Sequence, residues 1–421
     1  MRVGALNDHA LSNLTRDGWL LFLTRFTRLF AYGALSVVLV LYLTGLGLST
    51  SQTGILLSLT LVGDTCVSLF LTTRADRFGR RRVLIIGALL MAGAGLTFAF
   101  TGSLLLLIIA GTIGVVSPSG NEVGPFLSVE QAALSQVVSN RSRTTVFAWY
   151  TLAGSFATAI GSLCGGLLPS TMRRFAVTPV GSYRAVVILY AVTGIFLGLF
   201  FTRLTRAVEV ITKSKGNSLA GIKQSFGLGR SRDVVLRLSA LFALDSFGGG
   251  FVAQSFAAYW FYLRFGVNPA TLGAIFFGAN VFAGVSALLA SRLASRIGLV
   301  RTMVFTHLPS NVLLILVPLM PTLSLAISVL LLRFSISQMD VPTRQSYTMA
   351  VVHPEERSAA AGITGVARTI GASIAPVFVG LMFARPSLIS LPFFIAGTLK
   401  IIYDLLLYRG FVTHPPPEEA E

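Results

Sequence analysis

The sequence predicts an all-α membrane protein with twelve transmembrane helices in two pseudo-symmetric six-helix bundles. Three observations support this: the composition, the recurrence of long apolar stretches, and an internal repeat. Of the 421 residues, 54% are hydrophobic and 12% are charged, whereas about 25% are charged in an ordinary soluble domain. A soluble chain of this length would need far more polar surface to cover its cores. Soluble enzymes and disordered proteins are therefore excluded.

Apolar stretches long enough to cross a bilayer, which takes about 20 residues, recur along the whole chain. A polar middle separates six of them from six more. The fourth and tenth are too long for one straight span, and proline or glycine interrupts each. The predicted spans are 19–44, 53–71, 83–100, 104–138, 145–168, 185–201, 234–263, 272–290, 302–320, 323–352, 359–383 and 391–408.

The distribution of arginine and lysine predicts the orientation. The loops on one side of the predicted spans, with the linker region counted as far as Arg237, carry nineteen of these residues and the opposite loops carry five. Such an excess marks the cytoplasmic side. We therefore expect the segments 1–18 (N-terminus), 203–233 (linker) and 409–421 (tail) to be cytoplasmic, around the bundles 19–202 and 234–408. The same bias accounts for the net charge of +17, so no nucleic-acid partner is expected.

An internal repeat supports the division into six plus six helices. The loop Asp76–Arg82 and the loop Ser295–Arg301 align with arginine, glycine and arginine in register, and 131–143 aligns with 345–357. Parallel repeats of this kind place a substrate cavity between the halves near the middle of the membrane.

The first of these loops resembles the signature Gly-x-x-x-Asp-Arg-x-Gly-Arg-Arg of the major facilitator superfamily, with Thr72 at the first glycine. The resemblance implies a transporter that works by alternating access. It also implies that this loop is a conformational latch that holds the halves in the outward-facing state. The matching residues are Asp76, Arg77, Gly79, Arg80 and Arg81.

The fifth predicted helix contains Gly161-Ser-Leu-Cys-Gly-Gly166. This segment resembles the Gly-Pro-x-x-Gly-Gly element of the family's proton-coupled exporters, with Ser162 in the place of proline. The resemblance implies export. The alternative is ordinary close packing of helices through small residues.

Three carboxylates inside the predicted spans are candidates for proton coupling, because a charge in the membrane costs about 2.5–3.5 kcal/mol or more and needs a partner or a function. Glu122 is the first candidate, since prolines and glycines break its helix near the middle of the membrane, where transporters bind substrates or ions. A static salt bridge to an arginine is its alternative role. Asp64 and Asp245 are the other candidates, and a first-helix arginine is the alternative partner of Asp64.

A second group of polar and aromatic residues is predicted to line the substrate cavity. Glu130 and Arg344 occupy equivalent positions of the two repeats, so they either pair across the cavity or find partners in their own halves. We also expect Lys400 and Asp404, four residues apart, to pair within one helix. The predicted cavity residues are Arg28, Tyr32, Glu130, Gln131, Tyr259, Asp340, Arg344 and Gln345.

These features predict a secondary active transporter that moves a small organic solute by alternating access, with proton-coupled efflux (antiport) as the expected mode. A proton-linked or facilitated uptake carrier is the alternative, and a non-transporting receptor or scaffold is the second. The sequence has no nucleotide-binding loop and no cysteine–histidine cluster, so we expect no enzyme activity, cofactor or metal. The expected partners are the solute, protons and lipid, for a monomer in the cell (inner or plasma) membrane.

Overall fold

The computed structural model describes residues 14–138, 143–209 and 229–412. The extreme N-terminus, most of the predicted linker and the tail after residue 412 lie outside these ranges. The described residues form helices and no strands. The helices are α1 (Arg16–Gly45), α2 (Thr50–Phe78), α3 (Arg80–Phe100), α4 (Leu104–Ile113), α5 (Phe126–Val137), α6 (Arg143–Arg174), α7 (Pro179–Thr202), α8 (Arg232–Gly250), α9 (Gln254–Phe265), α10 (Pro269–Ile297), α11 (Leu299–Leu316), α12 (Leu323–Ser337), α13 (Asp340–Val351), α14 (Arg357–Phe383) and α15 (Leu391–Phe411).

Short polar side chains begin several of these helices. The hydroxyl of Thr15 accepts a hydrogen bond from the N–H of Gly18 at the start of α1. Ser49 and Gln52 form a reciprocal capping box at the start of α2. Such caps satisfy N–H groups that have no partner inside the helix.

The predicted fold is confirmed, with twelve membrane crossings in two bundles. In the described residues, eleven helical stretches are long and apolar enough to span a bilayer, and α4 is a shorter apolar helix. Three crossings are built from two helices each: α4 with α5, α8 with α9, and α12 with α13. Large apolar side chains remain exposed along the spans, Phe100 and Leu105 among them, as expected for a surface that faces lipid.

The fourth and tenth crossings are broken at corresponding places, as the sequence predicts. Residues 114–125 are not helical, and α12 and α13 are separated at Gln338 and Met339. The seventh crossing also breaks, directly after Gly248, Gly249 and Gly250. Non-helical backbone at membrane depth is tolerated only where protein or a wet cavity covers it.

The repeated loops share a backbone conformation. Gly79 precedes α3 with φ +95°, and Gly298 precedes α11 with φ +86°. An L-amino acid with a side chain rarely adopts such angles. The aligned glycines therefore make the same turn in both halves.

Two compact units divide the described residues, one within 1–211 and 254–280 and the other within 212–253 and 281–421. Helix α9 and the beginning of α10 thus pack with the helices of the first half. Within the first unit, α6 lies against α1 so closely that a methyl group at Gly165 would collide with the backbone of Ala34. The small residues of α6 are therefore packing residues, whatever further role they have.

We expect Gly165→Ala to destabilise the protein by about 1–3 kcal/mol, because overpacking forces two tightly apposed helix backbones apart. Gly362→Ala is the matched control, since the space around Gly362 in α14 is open and alanine favours a helix more than glycine does. Thermal unfolding of the purified protein in detergent measures both. Equal melting temperatures for the two variants would contradict this packing role.

Candidate functional site

The first candidate site surrounds the break in the fourth crossing. Pro118 and Pro125 lie within or at the end of the non-helical segment 114–125, and proline cannot supply the N–H that a helix needs. Gly120 and Gly124 have positive φ angles of 72° and 79°. The chain therefore leaves the helical path and places Glu122 beside α1.

Two arginines of α1 bind Glu122. Arg25 Nη1 lies 2.7 Å from Glu122 Oε1, and Arg28 Nη2 lies 3.1 Å from Glu122 Oε2. The Glu122 side chain is 17% exposed, whereas that of Arg28 is completely buried. Glu122 is therefore the member of this group that water reaches most easily. The arginine partner foreseen for it is present.

Glu130 is the fully buried carboxylate of the same cluster. Arg28 donates two hydrogen bonds to it, from Nη1 to Oε1 and from Nη2 to Oε2, each 2.8 Å long. The hydroxyl of Thr24 donates to Oε1 at 3.0 Å, and the hydroxyl of Tyr150 donates to Oε2. A bidentate arginine–carboxylate pair is among the strongest hydrogen-bonded arrangements in proteins.

Asp64, on α2, lies at the opposite edge of the broken segment. It is 5% exposed, and its Oδ1 accepts a hydrogen bond of 2.7 Å from the N–H of Gly124. Among residues 14–138, 143–209 and 229–412, no basic side chain lies within 4.0 Å of its carboxylate. The arginine partner considered for Asp64 is thus replaced by a backbone amide.

Of the two predicted cavity tyrosines, Tyr32 contacts the broken segment of the first site. Tyr32 is completely buried, its ring is stacked 6.2 Å from that of Tyr190, and its hydroxyl donates to the carbonyl of Val123 at 3.4 Å. Tyr259, the other predicted cavity tyrosine, is 8% exposed and stacks 6.1 Å from Tyr262.

A polar cluster joins α9 and α10 to the rest of the first unit. The Gln254 side-chain amide donates to the hydroxyls of Ser36 and Ser162, at 2.8 and 3.0 Å. The Asn280 amide donates to the side-chain oxygen of Gln254 at 3.0 Å. Ser162 stands where the exporter element has proline, so a hydroxyl acceptor takes the place of a helix-distorting ring.

The second candidate site is an ion cluster in the second unit, centred on Asp245 of α8. Lys400 Nζ lies 2.6 Å from Asp245 Oδ1, and Arg344 Nη1 lies 3.0 Å from Asp245 Oδ2. Arg344 also lies 3.4 Å from Asp340, four residues earlier on α13. Glu130 and Arg344 thus have partners in their own halves, which was one of the two predicted arrangements.

His307 of α11 extends this cluster. Its Nδ1 lies 2.8 Å from Asp404 Oδ1, and the Asn311 amide donates to Asp404 Oδ2 at 2.9 Å. The expected pairing of Lys400 with Asp404 is wrong, because Lys400 contacts Asp245 and Asp404 contacts His307. A spacing of four residues along a helix allows two side chains to pair. Here Asp245 of α8 lies closer to Lys400, and His307 of α11 lies closer to Asp404.

Gln131 and Gln345 occupy equivalent places in the two broken crossings but differ in exposure. Gln131 is half-buried on α5, whereas Gln345 is exposed on α13.

The predicted latch loop is held together by its own residues and by the end of the first half. Arg80 Nε lies 2.9 Å from Asp76 Oδ1, and the Asp76 side chain is 66% exposed. The Glu209 carboxylate accepts hydrogen bonds from the N–H groups of Arg80 and Arg81, at 2.7 and 3.1 Å. An acidic residue here compensates the positive end of α3.

Glu356 makes a comparable cap in the second unit, in the loop before α14. Its carboxylate accepts hydrogen bonds from the N–H groups of Gly229, Arg230 and Ser231, at 2.7, 3.0 and 3.0 Å. These bonds, that from Gly229 foremost, hold the pKa of Glu356 below its ordinary value. They tie the start of α8 to the loop before α14.

The sequence profile of the Major Facilitator Superfamily matches residues 21–376 and 238–421. The chain belongs to this superfamily. It is also 30% identical over 424 residues to the uncharacterized membrane protein YJR124C of Saccharomyces cerevisiae, with 94% of each chain covered.

Solved structures of superfamily transporters share the fold. A point mutant of the nucleoside transporter NupG superposes with a TM-score of 0.77 at 13% identity, covering 94% of this chain and all of that one. A D-xylose–proton symporter superposes with a TM-score of 0.71 at 15% identity, covering 93% and 97%. The protein is therefore a membrane transporter of small molecules rather than an enzyme.

Several residues of these two candidate sites were not among the predicted site residues. Arg25 and Tyr150 complete the first cluster, and His307, Lys400 and Asp404 complete the second. Each is polar within an apolar span, and that signal could have found them. Their partners could not be foreseen, because they lie on helices far apart in sequence.

We expect Glu130→Gln to lower the free energy of unfolding by about 3 kcal/mol, since removal of one member of a buried ion pair leaves its partner uncompensated. Glu355→Gln, at an exposed position, should change it by less than about 0.5 kcal/mol. Detergent-titrated unfolding followed by tryptophan fluorescence measures both variants. A Glu130 variant as stable as the control would show that the ion pair of Arg28 and Glu130 adds nothing to the free energy of unfolding.

Proposed function

We propose that this superfamily transporter couples movement of a small organic solute to protons, with Asp64 as the main proton-binding residue. The observation that carries the proposal is the isolation of Asp64, a buried carboxylate with a backbone hydrogen bond and no described cation within 4.0 Å. An uncompensated charge inside a membrane is costly. Binding a proton removes that charge, and releasing it requires access to water.

Glu122 is the second proton-binding candidate, in a different setting. Arg25 and Arg28 already neutralise it, and its partial exposure allows protons to reach it. A proton on Glu122 would leave Arg28 bound to Glu130 while freeing Arg25 from its carboxylate. In the second unit Asp245 plays the corresponding part, between Arg344 and Lys400.

Efflux by antiport is the proposed direction, supported by the small-residue segment of α6 that resembles the exporter element. Uptake is the alternative, supported by the fold shared with a D-xylose–proton symporter. A non-transporting scaffold would keep these ion pairs static. The arginine and lysine bias supports cytoplasmic termini in the inner or plasma membrane, and we propose that the monomer is the functional unit.

Proton coupling predicts that Asp64→Asn abolishes the dependence of flux on a pH gradient, because asparagine cannot bind and release a proton. Proteoliposomes containing the purified protein are loaded with a metabolite extract of the host cell, and mass spectrometry follows the solutes that leave under an imposed gradient. We expect Glu122→Gln to reduce the response and Asp233→Asn, at an exposed position, to leave it unchanged.

Two results would count against the proposal. A full pH response in both Asp64→Asn and Glu122→Gln would reject proton coupling through the first unit. Absence of any solute movement in the wild-type protein, in either direction, would favour the scaffold. The direction of movement separates efflux from uptake. In efflux by antiport, the solute leaves one side of the membrane while protons enter that side.

The latch predicts that Asp76→Asn slows transport severalfold while changing stability by less than about 1 kcal/mol, since exposed ion pairs contribute little to folding. Initial rates in the same proteoliposomes, with melting temperatures measured in parallel, test this. Asp233→Asn again serves as the control. Wild-type rates in the Asp76 variant would assign this loop to membrane topology alone.

A further inference from the structure

Three buried hydrogen-bond donors in the second unit have no hydrogen-bond partner among residues 14–138, 143–209 and 229–412. Arg333 of α12 is 8% exposed and Tyr403 of α15 is 1% exposed. The Nε atoms of Arg333 and Arg368 and the hydroxyl of Tyr403 lack a hydrogen-bond partner among the described residues. Within the same residues, no carboxylate lies within 4.0 Å of either guanidinium. Buried polar groups are nearly always paired, so three such groups together need an explanation.

The helices that carry Arg368 and Tyr403 pack against those of the second ion cluster. Helix α14 lies against α8, and the ring of Tyr403 lies 5.9 Å from that of His307. Asp245 and Asp340 of this cluster already pair with other bases, so neither is the main hydrogen-bond acceptor for these three donors. Asp245 is occupied by Lys400 and Arg344 on its two oxygens, and Asp340 by Arg344.

The cluster also carries an excess of positive charge. Its bases are Arg333, Arg344, Arg368 and Lys400, and its acids are Asp245, Asp340 and Asp404. Asp404 is held by His307 and Asn311.

Repulsion between two members of the cluster adds to this excess. Arg344 and Arg368 are both cationic and lie on the packed helices α13 and α14, so they repel each other. An uncompensated charge within a bilayer is costly, and arginine can only donate hydrogen bonds. The missing partner is therefore a negatively charged hydrogen-bond acceptor.

We propose that Arg333, Arg368 and Tyr403 bind a carboxylate or phosphate group of the transported solute, so that the substrate is an organic anion. The inference rests on the proposed transport function and adds the chemical class of its substrate. Planar guanidinium groups match the oxygens of carboxylates and phosphates, and a tyrosine hydroxyl supplies a further donor. The Arg333 guanidinium lies 4.9 Å from the centre of the Phe334 ring, which helps to hold it in place without a carboxylate.

The test compares charged probes with uncharged analogues of similar shape. Melting temperatures of the purified full-length protein are measured with benzoate or benzamide, and with phenyl phosphate or phenol. We expect at least one anion to stabilise the wild type, while its uncharged analogue does not. Arg333→Gln and Arg368→Gln should each weaken that binding by about tenfold or more, as for loss of a hydrogen bond to a charged group. Arg292→Gln, at an exposed position on α10, should bind as the wild type does.

Stability without ligand provides a second readout. Because no described carboxylate lies within 4.0 Å of the Arg333 or Arg368 guanidinium, their glutamine variants should melt at or above the wild-type temperature. Arg28→Gln should melt lower, because Arg28 holds two carboxylates. A large loss of stability in Arg333→Gln would reveal a structural partner and overturn the proposal. Equal stabilisation by the charged and uncharged probes would overturn the proposal too. So would anion binding that survives in the double variant, which combines Arg333→Gln with Arg368→Gln.

Transport measurements separate this inference from the function on which it rests. Anion binding that depends on Arg333 and Arg368, in a protein that moves no solute, would support the site and reject transport. Movement of an uncharged solute at wild-type rates in the double variant would support transport and reject the anion site.

Discussion

Charge compensation inside the membrane is the constraint on which the rest of the structure depends. Arg28 shows it most clearly, because this guanidinium is fully buried in the first unit and donates hydrogen bonds to both Glu130 and Glu122. Neither charge would be tolerated alone at that depth. The break in the fourth crossing lies beside the pair of Arg28 and Glu130. It places Glu122 next to Arg25 and Arg28, and the Gly124 amide next to Asp64.

The two units meet the same constraint with different residues. The first balances two arginines against Glu122 and Glu130, whereas Asp64 accepts a hydrogen bond from the Gly124 amide and has no described base within 4.0 Å. The second contains several bases around Asp245 and adds a histidine–aspartate pair. Among the described residues, an acid without a nearby base in the first unit and donors without a nearby acid in the second are the basis of the proposed proton and anion sites. The pseudo-symmetry of the backbone therefore does not extend to the chemistry.

The unpredicted pairings have a common cause. Lys400 and Asp404 are one helical turn apart, and sequence spacing alone favours a pair. In the fold, α8 brings Asp245 to Lys400, and α11 brings His307 to Asp404. Similarly, Asp64 lies within reach of the broken segment, so the Gly124 amide, rather than an arginine, becomes its partner. Spacing rules describe one helix, whereas each buried charge selects its partner from every helix packed around it.

The sequence by itself determined the membrane class, the twelve crossings, the two halves and the breaks in the fourth and tenth crossings. These features follow from local properties: apolar length, the missing N–H of proline, and glycine at Gly79 and Gly298, where φ is positive. It also identified Glu122 as a residue at a broken helix. Only the tertiary structure decided which charges are neutralised and which are left without partners, because an ion pair depends on distances of a few ångströms between segments about a hundred residues apart, such as Arg28 and Glu130.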